Sequence, residues 1–220
     1  MLYYITIATK PHAVLEKIKE KIVKNKEKII VLGENENRYI GWNAHGNFGI
    51  KLKEVKLYLK NEYLNEDDII LFTDAYDVIY YGNIEEIKEK YKKLNSPIIF
   101  GCEKECNPNP KLTKYYGNKD KEFPYLNSGL FIGNVKALRE CLTEYSYNDN
   151  DDDQLFWTYM YLNNESLIKL DYENEIFLNT HDINENELIK IKDRIKYKNK
   201  VPCFIHVNGI DKSLLNKLLI

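Results

Sequence analysis

Two acids that follow a buried strand are the residues of this sequence best placed to do chemistry. Asp74 and Asp77 end an apolar run at residues 69–73, which predicts a strand buried on both faces. In an open α/β sheet, ligands bind beyond the carboxyl ends of the strands, so both carboxylates are expected at a binding edge. Such oxygen ligands suit a divalent cation that is shared with a diphosphate. The alternative is an ordinary turn that is capped by two acids. Tyr76 lies between the acids, and its ring can stack on a nucleobase, which favours a binding site over a plain turn.

Three further polar features are placed to join this pair. His206 lies in a predicted final strand, residues 202–209, and its position near the carboxyl end makes it a candidate third ligand of one metal. Lys51 opens a predicted helix, where its charge opposes the helix dipole, so either a contact with phosphate or simple solvation explains it. An acidic block, residues 149–154, precedes an aromatic helix. Its carboxylates either complement that helix terminus or accept hydrogen bonds from sugar-like hydroxyl groups.

The elements that must position these groups alternate between strands and helices. A strand at residues 2–9, a helix opened by Pro11 and a strand at residues 28–33 form a β-α-β unit. The next apolar strand, at residues 69–73, then predicts a mostly parallel sheet with helices on both faces. A length of 220 residues indicates one domain, residues 1–220. The remaining predicted helices are 51–63 and 84–94, and the remaining predicted strands are 97–102, 168–170 and 176–178, with a further apolar strand that follows a small-residue turn within residues 125–134.

Two long loops are expected to lie near the site. Residues 33–49, which include Trp42 and His45, have the composition of a loop that carries a ligand. Residues 103–124 are rich in Pro and Asn and predict a mobile flap over the site. In the small-residue turn within residues 125–134, Gly129 would let the backbone approach a ligand closely.

Composition excludes several classes of function. Lys and Arg total 32 against 34 Asp and Glu, and a net charge of -2 gives no basis for binding nucleic acid or an anionic membrane. The four cysteines fit no zinc spacing, so buried, reduced thiols are expected. The amino-terminal apolar run is too short to span a bilayer and lacks the pattern of a signal peptide, which makes the cytoplasm the default location. Association into a homo-oligomer is left open.

Four sequence blocks together resemble one known family. The blocks are Phe72-Thr73-Asp74-Ala75-Tyr76-Asp77-Val78, Leu126-Asn127-Ser128-Gly129, Asp151-Asp152-Asp153-Gln154-Leu155-Phe156 and His206-Val207-Asn208-Gly209. In order and spacing they are similar to the glycosyltransferase domain of procollagen lysyl hydroxylases, a type A glycosyltransferase. The poly-Asp block is the most specific of the four. The resemblance spans residues 5–212 and implies a Rossmann-like, mostly parallel sheet of the GT-A type.

The resemblance also implies a cofactor and a donor. The chain would use Mn²⁺ to transfer a hexose, most simply glucose, from a UDP-sugar to galactosyl-hydroxylysine of a collagen-like protein. The implied metal ligands are Asp74, Asp77 and His206, and Tyr76 would stack on uracil. The other positions expected to contact the nucleotide or its phosphates are Thr9, Lys51, Asn208, Gly209 and Lys212.

The implied catalytic residues are Asn127, Asp152 and Asp153, which would face the donor sugar and the acceptor. A transfer that retains the anomeric configuration requires a nucleophile or a close ion pair on one face of the sugar, by analogy with glycoside hydrolases. Asp152 and Asp153 are the candidates for that role, and the sequence does not choose between them. Charge that develops on the leaving UDP would be neutralised by Mn²⁺ with Lys51 or Lys212.

The chain departs from the family pattern in two places. Asn107-Pro108-Asn109-Pro110 stands where the family has a Trp that gates the sugar pocket, which leaves donor choice open. No hydroxylase portion or export signal is present in the sequence, so a stand-alone transferase is expected. Transfer of galactose from UDP-galactose directly to hydroxylysine, and a non-catalytic module that binds glycan or collagen, are the alternatives. A phosphohydrolase of the haloacid dehalogenase type fits poorly, because its two acids lie two residues apart near the amino terminus.

Overall fold

A computed structural model describes residues 1–36, 38, 40 and 47–219 of the chain. Residues 41–46, which hold Trp42 and His45, lie outside the described residues, as do Asn37, Tyr39 and Ile220. In chain order the helices and strands are β1 (Leu2–Ile7), α1 (Ala13–Asn25), β2 (Ile29–Leu32), α2 (Gly49–Leu59), β3 (Ile69–Asp74), β4 (Val78–Tyr80), α3 (Ile84–Leu94), β5 (Ile98–Glu103), β6 (Tyr125–Asn134), α4 (Val135–Leu142), α5 (Asp153–Asn163), β7 (Ile168–Leu170), β8 (Phe177–Asn179), β9 (Leu188–Ile191), β10 (Arg194–Tyr197), β11 (Phe204–His206) and α6 (Ser213–Leu218).

The main sheet has six strands in the order β2-β1-β3-β6-β5-β7. β1 pairs in parallel with β2 and β3, and β5 pairs in parallel with β7. β6 is antiparallel to both of its neighbours. The predicted α/β class, a mostly parallel but mixed sheet flanked by helices, is therefore confirmed. Because β6 runs the other way, its first residues lie at the same edge as the last residues of β1, β3 and β5.

The central strand β3 is buried on both faces. Ile70, Leu71 and Phe72 are 0%, 0% and 1% exposed. Ile70 and Phe72 pack in a core cluster with side chains of α2, α4 and α5, whereas Leu71 packs with those of α1 and α3 on the other face. A continuous apolar run, rather than an alternating one, is typical of such a strand.

A second sheet, ordered β4-β11-β8, places residues of the last third of the chain beside β3. β11 is antiparallel to β4 and parallel to β8, and its register sets His206 opposite both Val78 and Asn179. The backbone N–H of Val207 also donates to the carbonyl of Asp77 at 2.8 Å. Main-chain pairing therefore brings His206 to the turn that carries Asp77.

The segment at residues 103–124, predicted to be a mobile flap, is attached to the core. It contains a 3₁₀ helix, Pro110–Tyr115, and its side chains Leu112, Tyr116 and Phe123 are 7%, 3% and 0% exposed. The prediction was wrong for these residues because it followed from their Pro and Asn content, whereas three apolar side chains anchor the segment in the core.

Smaller differences concern the ends of elements. α2 begins at Gly49 rather than Lys51 and ends at Leu59, while α3 has the predicted bounds. β9 and β10 form a hairpin with Ile195 and Tyr197 buried. All four cysteines are free and buried, as expected. In the described part of the chain, no helix combines the length and the apolar character that crossing a membrane requires.

Candidate functional site

Three side chains from separate strands meet at the edge of the main sheet. Asp74 is the last residue of β3, Asp77 precedes β4, and His206 is the last residue of β11. Nε2 of His206 lies 3.2 Å from Oδ1 of Asp77 and 3.9 Å from Oδ2 of Asp74. One ligand atom from each residue falls within 4.8 Å of the other two. The three predicted metal ligands are thus brought together around one point.

Hydrogen bonds fix the orientation of the His206 ring. The side-chain amide of Asn179 donates from Nδ2 to the carbonyl of Cys102 at 2.8 Å, which turns its Oδ1 toward His206. This oxygen lies 2.7 Å from Nδ1 of His206 and can only accept, so Nδ1 carries the proton. In the neutral imidazole, the lone pair of Nε2 then faces the two carboxylates. One imidazole nitrogen and two carboxylates are a donor set that fits a divalent ion. Nothing in the sequence marks Asn179 except its place after a predicted strand.

Two lysines surround the carboxylates. Nζ of Lys51 lies 2.7 Å from Oδ1 of Asp74 and 3.6 Å from Oδ2 of Asp153. Burial lowers the pKa of Lys51, but Asp153 and Asp74 outweigh it and hold that pKa above its ordinary value. Nζ of Lys212 donates to Oδ2 of Asp77 at 2.7 Å. Burial raises the pKa of Asp77, yet His206 and Lys212 together hold it below its usual range.

The two candidate catalytic acids of the poly-Asp block have different surroundings. Oδ1 of Asp152 accepts from the backbone N–H of Leu155 at 2.9 Å, so this side chain caps α5. Asp153 is buried, lies beside Lys51 and Asp74, and forms a side-chain hydrogen bond with Ser128. Burial raises the pKa of Asp153, while Lys51 opposes that shift. Of the two acids, Asp153 is the one placed among the charged groups of the site.

Glu103, at the end of β5, is a site residue that the sequence analysis missed. Its carboxylate accepts from Nε2 of Gln154 at 2.6 Å and from Nδ2 of Asn208 at 2.8 Å, and it has a side-chain hydrogen bond with Asn127. Burial raises the pKa of Glu103 to about 7, against the effect of the bonds from Gln154 and Asn127. Three of the four sequence blocks are therefore joined through one carboxylate. The available signal was its position at the end of an apolar strand.

The side chains of Asn127 and Asn208 form hydrogen bonds within the protein. Both are buried, and Oδ1 of Asn127 accepts from the N–H of Gly129 at 3.0 Å. Oδ1 of Asn208 accepts from the N–H of His181 at 2.9 Å. Gly209, which follows, has a φ of +83°, a conformation that favours glycine. The two amide side chains hold the loops of the site in place, and a direct contact with substrate stays a prediction.

Two residues predicted to contact the nucleotide, Thr9 and Tyr76, lie together at the end of β1. The hydroxyl of Tyr76 accepts from the N–H of Thr9 at 2.9 Å and from that of Lys10 at 3.0 Å. The Tyr76 ring centroid is 4.9 Å from that of His12, with the planes tilted by 43°. Oγ1 of Thr9 is buried and has no hydrogen-bond partner in the described part of the chain. Tyr76 and Thr9 are thus held together, as a shared role requires, and stacking on uracil stays a prediction.

Gly129 lies against the metal-ligating side chains. A Cβ at this position would be 2.5 Å from Cε1 of His206 and 2.8 Å from Oδ2 of Asp74. Neither ligand can move away freely, because His206 is bonded to Asn179 and Asp74 is paired with Lys51. The close approach expected of Gly129 is therefore made to two of the predicted metal ligands, His206 and Asp74.

Solved structures share this fold. A glycosyltransferase involved in the glycosylation of the major capsid of PBCV-1 superposes with a TM-score of 0.56 at 8% identity, covering 99% of this chain and 98% of that one. Mouse xyloside xylosyltransferase 1 gives a TM-score of 0.50 at 13% identity, covering 96% and 87%. The fold is that of the type A glycosyltransferases.

Sequence comparison then identifies the family. The family described as PLOD GT domain matches residues 1–219. The human multifunctional procollagen lysine hydroxylase and glycosyltransferase LH3 is 33% identical over 179 residues, which cover 77% of this chain and 24% of that protein. Mouse procollagen-lysine,2-oxoglutarate 5-dioxygenase 2 is 31% identical over 226 residues, 98% of this chain and 30% of that protein. Uncharacterized protein R699 of Acanthamoeba polyphaga mimivirus is 32% identical over 193 residues, 86% and 42%. The chain belongs to the PLOD GT domain family and spans between 24% and 42% of the length of these relatives.

Substitution of Gly129 tests the packing of the ligand site. We expect Gly129→Ala to displace His206 or Asp74 and to weaken the binding of a divalent cation, probed with Mn²⁺ by calorimetry, at least about tenfold. Gly117→Ala is the matched control, since a Cβ at Gly117 meets nothing within 4 Å. Equal Mn²⁺ affinity in both variants would contradict the packing argument.

Substitution of Glu103 tests its buried carboxyl. Because its folded-state pKa of about 7 lies above the ordinary 4.5, the unfolded state loses this proton first as the pH rises. The contribution of Glu103 to the free energy of unfolding therefore falls between those two values and is level above them. Glu103→Gln removes this titration, so the difference in unfolding free energy between wild type and variant, measured by urea at about pH 5 and about pH 8, should depend on pH. A difference that is the same at both pH values would show that the carboxyl does not titrate there.

Proposed function

We propose that this protein transfers glucose from UDP-glucose to galactosyl-hydroxylysine in a collagen-like acceptor and requires Mn²⁺ to do so. The observation that carries the proposal is the meeting of Asp74, Asp77 and His206 around one point, with Nε2 of His206 facing two carboxylates. Membership of the PLOD GT domain family supports the choice of acceptor, since relatives are named as procollagen lysine hydroxylases.

Residues of the chain around this point have the charges that departure of UDP requires. When bound, Mn²⁺ supplies positive charge to the diphosphate of the donor. The ammonium groups of Lys51 and Lys212 lie 2.7 Å from Asp74 and Asp77, respectively, and they would neutralise phosphate oxygens as negative charge develops. At the end of β1, Thr9 and Tyr76 would bind the nucleoside.

Asp153 is the acid that we assign to the reacting carbon of the sugar. It is buried, carries a raised pKa and lies beside Lys51, whereas Asp152 already accepts the cap hydrogen bond of α5. A carboxylate held in this position can stabilise positive charge on the sugar ring or accept the proton of the acceptor hydroxyl. The ammonium group of Lys51 opposes the rise in the pKa of Asp153 that burial causes.

A donor and acceptor screen tests the function. We expect release of UDP to be fastest with UDP-glucose, Mn²⁺ and a galactosyl-hydroxylysine peptide, because a pocket that reads hydroxyl groups discriminates strongly between sugars. UDP-galactose and UDP-xylose are the donor controls, and a hydroxylysine peptide is the acceptor control. Fastest release with UDP-galactose and hydroxylysine would instead assign the galactosyl transfer. A folded protein that turns over none of these donors would favour a module that only binds glycan or collagen.

Replacement of the assigned acid separates binding from turnover. Asp153→Asn should lower kcat about 100-fold or more and leave the affinity for UDP in the presence of Mn²⁺ nearly unchanged, because the carboxylate acts on the sugar rather than on the nucleotide. Asp120→Asn, at an exposed position, is the control. Full kcat in Asp153→Asn would remove Asp153 from the reaction and return the role to Asp152.

A further inference from the structure

A cleft of about 380 Å³ lies along one face of α5, outside the ligand set. One wall is formed by α5 residues that recur every three or four positions and so share a helix face: Asp152, Leu155, Phe156, Tyr159 and Met160. The other wall is formed by the end of α4 and the loop after it, through Cys141, Glu144, Tyr145, Ser146 and Asp151. We refer to these ten residues as the α5 cleft. It begins at Asp152, whose neighbour Asp153 lies among the charged groups of the candidate site.

The charged side chains of the α5 cleft are all acidic. Glu144, Asp151 and Asp152 line it, and within the described ranges neither lysine nor arginine does. Lys56 supports the loop wall, since its Nζ donates to the carbonyl oxygens of Thr143 at 2.8 Å and Tyr145 at 2.7 Å, but it is not one of the lining residues. The cleft therefore presents a negative potential to whatever enters it.

Aromatic rings lie beside these carboxylates. The rings of Tyr145 and Phe156 pack edge to face, with centroids 5.3 Å apart and planes at 68°. The hydroxyl of Tyr145 donates to Oδ2 of Asp151 at 3.0 Å, which fixes this wall. Tyr159 is 44% exposed. A cationic side chain gains both an ion pair and a cation–π contact in such surroundings.

The same residues are poorly suited to a neutral sugar. Sugar hydroxyl groups both donate and accept hydrogen bonds, whereas ionised carboxylates only accept. The side-chain donors of the α5 cleft are the hydroxyl groups of Ser146, Tyr159 and Tyr145, and the last already donates to Asp151. A lysine or arginine side chain, which only donates, is the complementary occupant.

The position of the cleft indicates which molecule supplies this side chain. The lining residues of α5 extend from Asp152 to Met160, a rise of about 12 Å, which is the span of about four residues of extended peptide. We infer that the α5 cleft binds a lysine or arginine side chain of the acceptor polypeptide, within about four residues of the residue that is modified. This inference rests on the proposed function, because it concerns the acceptor of the same reaction.

Paired acceptor peptides test the inference by binding alone. Two fluorescently labelled collagen-like peptides carry galactosyl-hydroxylysine at the centre and differ only in their flanking positions, which hold arginine in one and glutamine in the other. We expect the full chain to bind the arginine peptide about tenfold more tightly, as measured by fluorescence anisotropy, because two or more exposed ion pairs act together. Screening should reduce this preference as the salt concentration rises.

Matched variants separate the cleft from general attraction between charges. Glu144→Gln and Tyr159→Leu, both at exposed positions, should each reduce the preference for arginine about threefold, the first by loss of an ion pair and the second by loss of a cation–π contact. Glu140→Gln removes an exposed carboxylate of α4 that does not line the cleft, and Tyr115→Leu removes a tyrosine that is 59% exposed elsewhere. Both controls should keep the preference of wild type.

A preference for the arginine peptide that falls in Glu144→Gln and Tyr159→Leu but not in the two controls supports the inference. Equal affinity of wild type for the two peptides overturns it, and so does a preference that Glu140→Gln reduces as much as Glu144→Gln. Because these measurements need no turnover, an intact preference without transfer to the arginine peptide would count against the proposed function alone. Transfer that proceeds without any preference between the peptides would count against the inference alone.

Discussion

The site depends on holding two carboxylates close together against their mutual repulsion. Asp74 and Asp77 approach one histidine nitrogen to within 3.9 Å and 3.2 Å, and neither carboxylate is free to turn away. Backbone pairing of β11 with β4 fixes the distance between His206 and Asp77, and Lys51 and Lys212 hold the outer oxygens. The arrangement is therefore preorganised. Strand register and the two neighbouring ammonium groups offset the repulsion between the carboxylates in the folded chain, before any substrate binds.

Much of this arrangement could be predicted from the sequence, because the features that carry it are local. The apolar run of β3 ends at Asp74, and its burial on both faces follows from composition alone. α3 has its predicted bounds because Asn83 supplies a cap whose side chain accepts from the N–H of Glu86. The four sequence blocks then place the ligands by resemblance. Strands that end at one edge bring together residues as distant as 74 and 206.

The parts that could not be predicted depend on contacts between distant segments. Glu103 and Asn179 are single polar residues at the ends of apolar strands, and only the folded chain shows that one joins three loops and the other orients a histidine. Asp152 and Asp153 are chemically identical neighbours. Their surroundings differ because α5 begins at Asp153 and Asp152 is its cap. Helix propensity does not place that boundary to a single residue. The Pro and Asn content of residues 103–124 predicts a mobile segment, whereas three apolar side chains decide its packing.

The position of β11 has a consequence for biosynthesis. His206 enters the site through a strand that lies between β4 and β8, some 130 residues after the two aspartates it faces, so the ligand set is complete only when the carboxyl-terminal part of the chain has been made and docked. A ribosome-bound intermediate would hold both aspartates and Lys51 but neither His206 nor Lys212. The proposed metal site would therefore be complete only after the whole fold has formed.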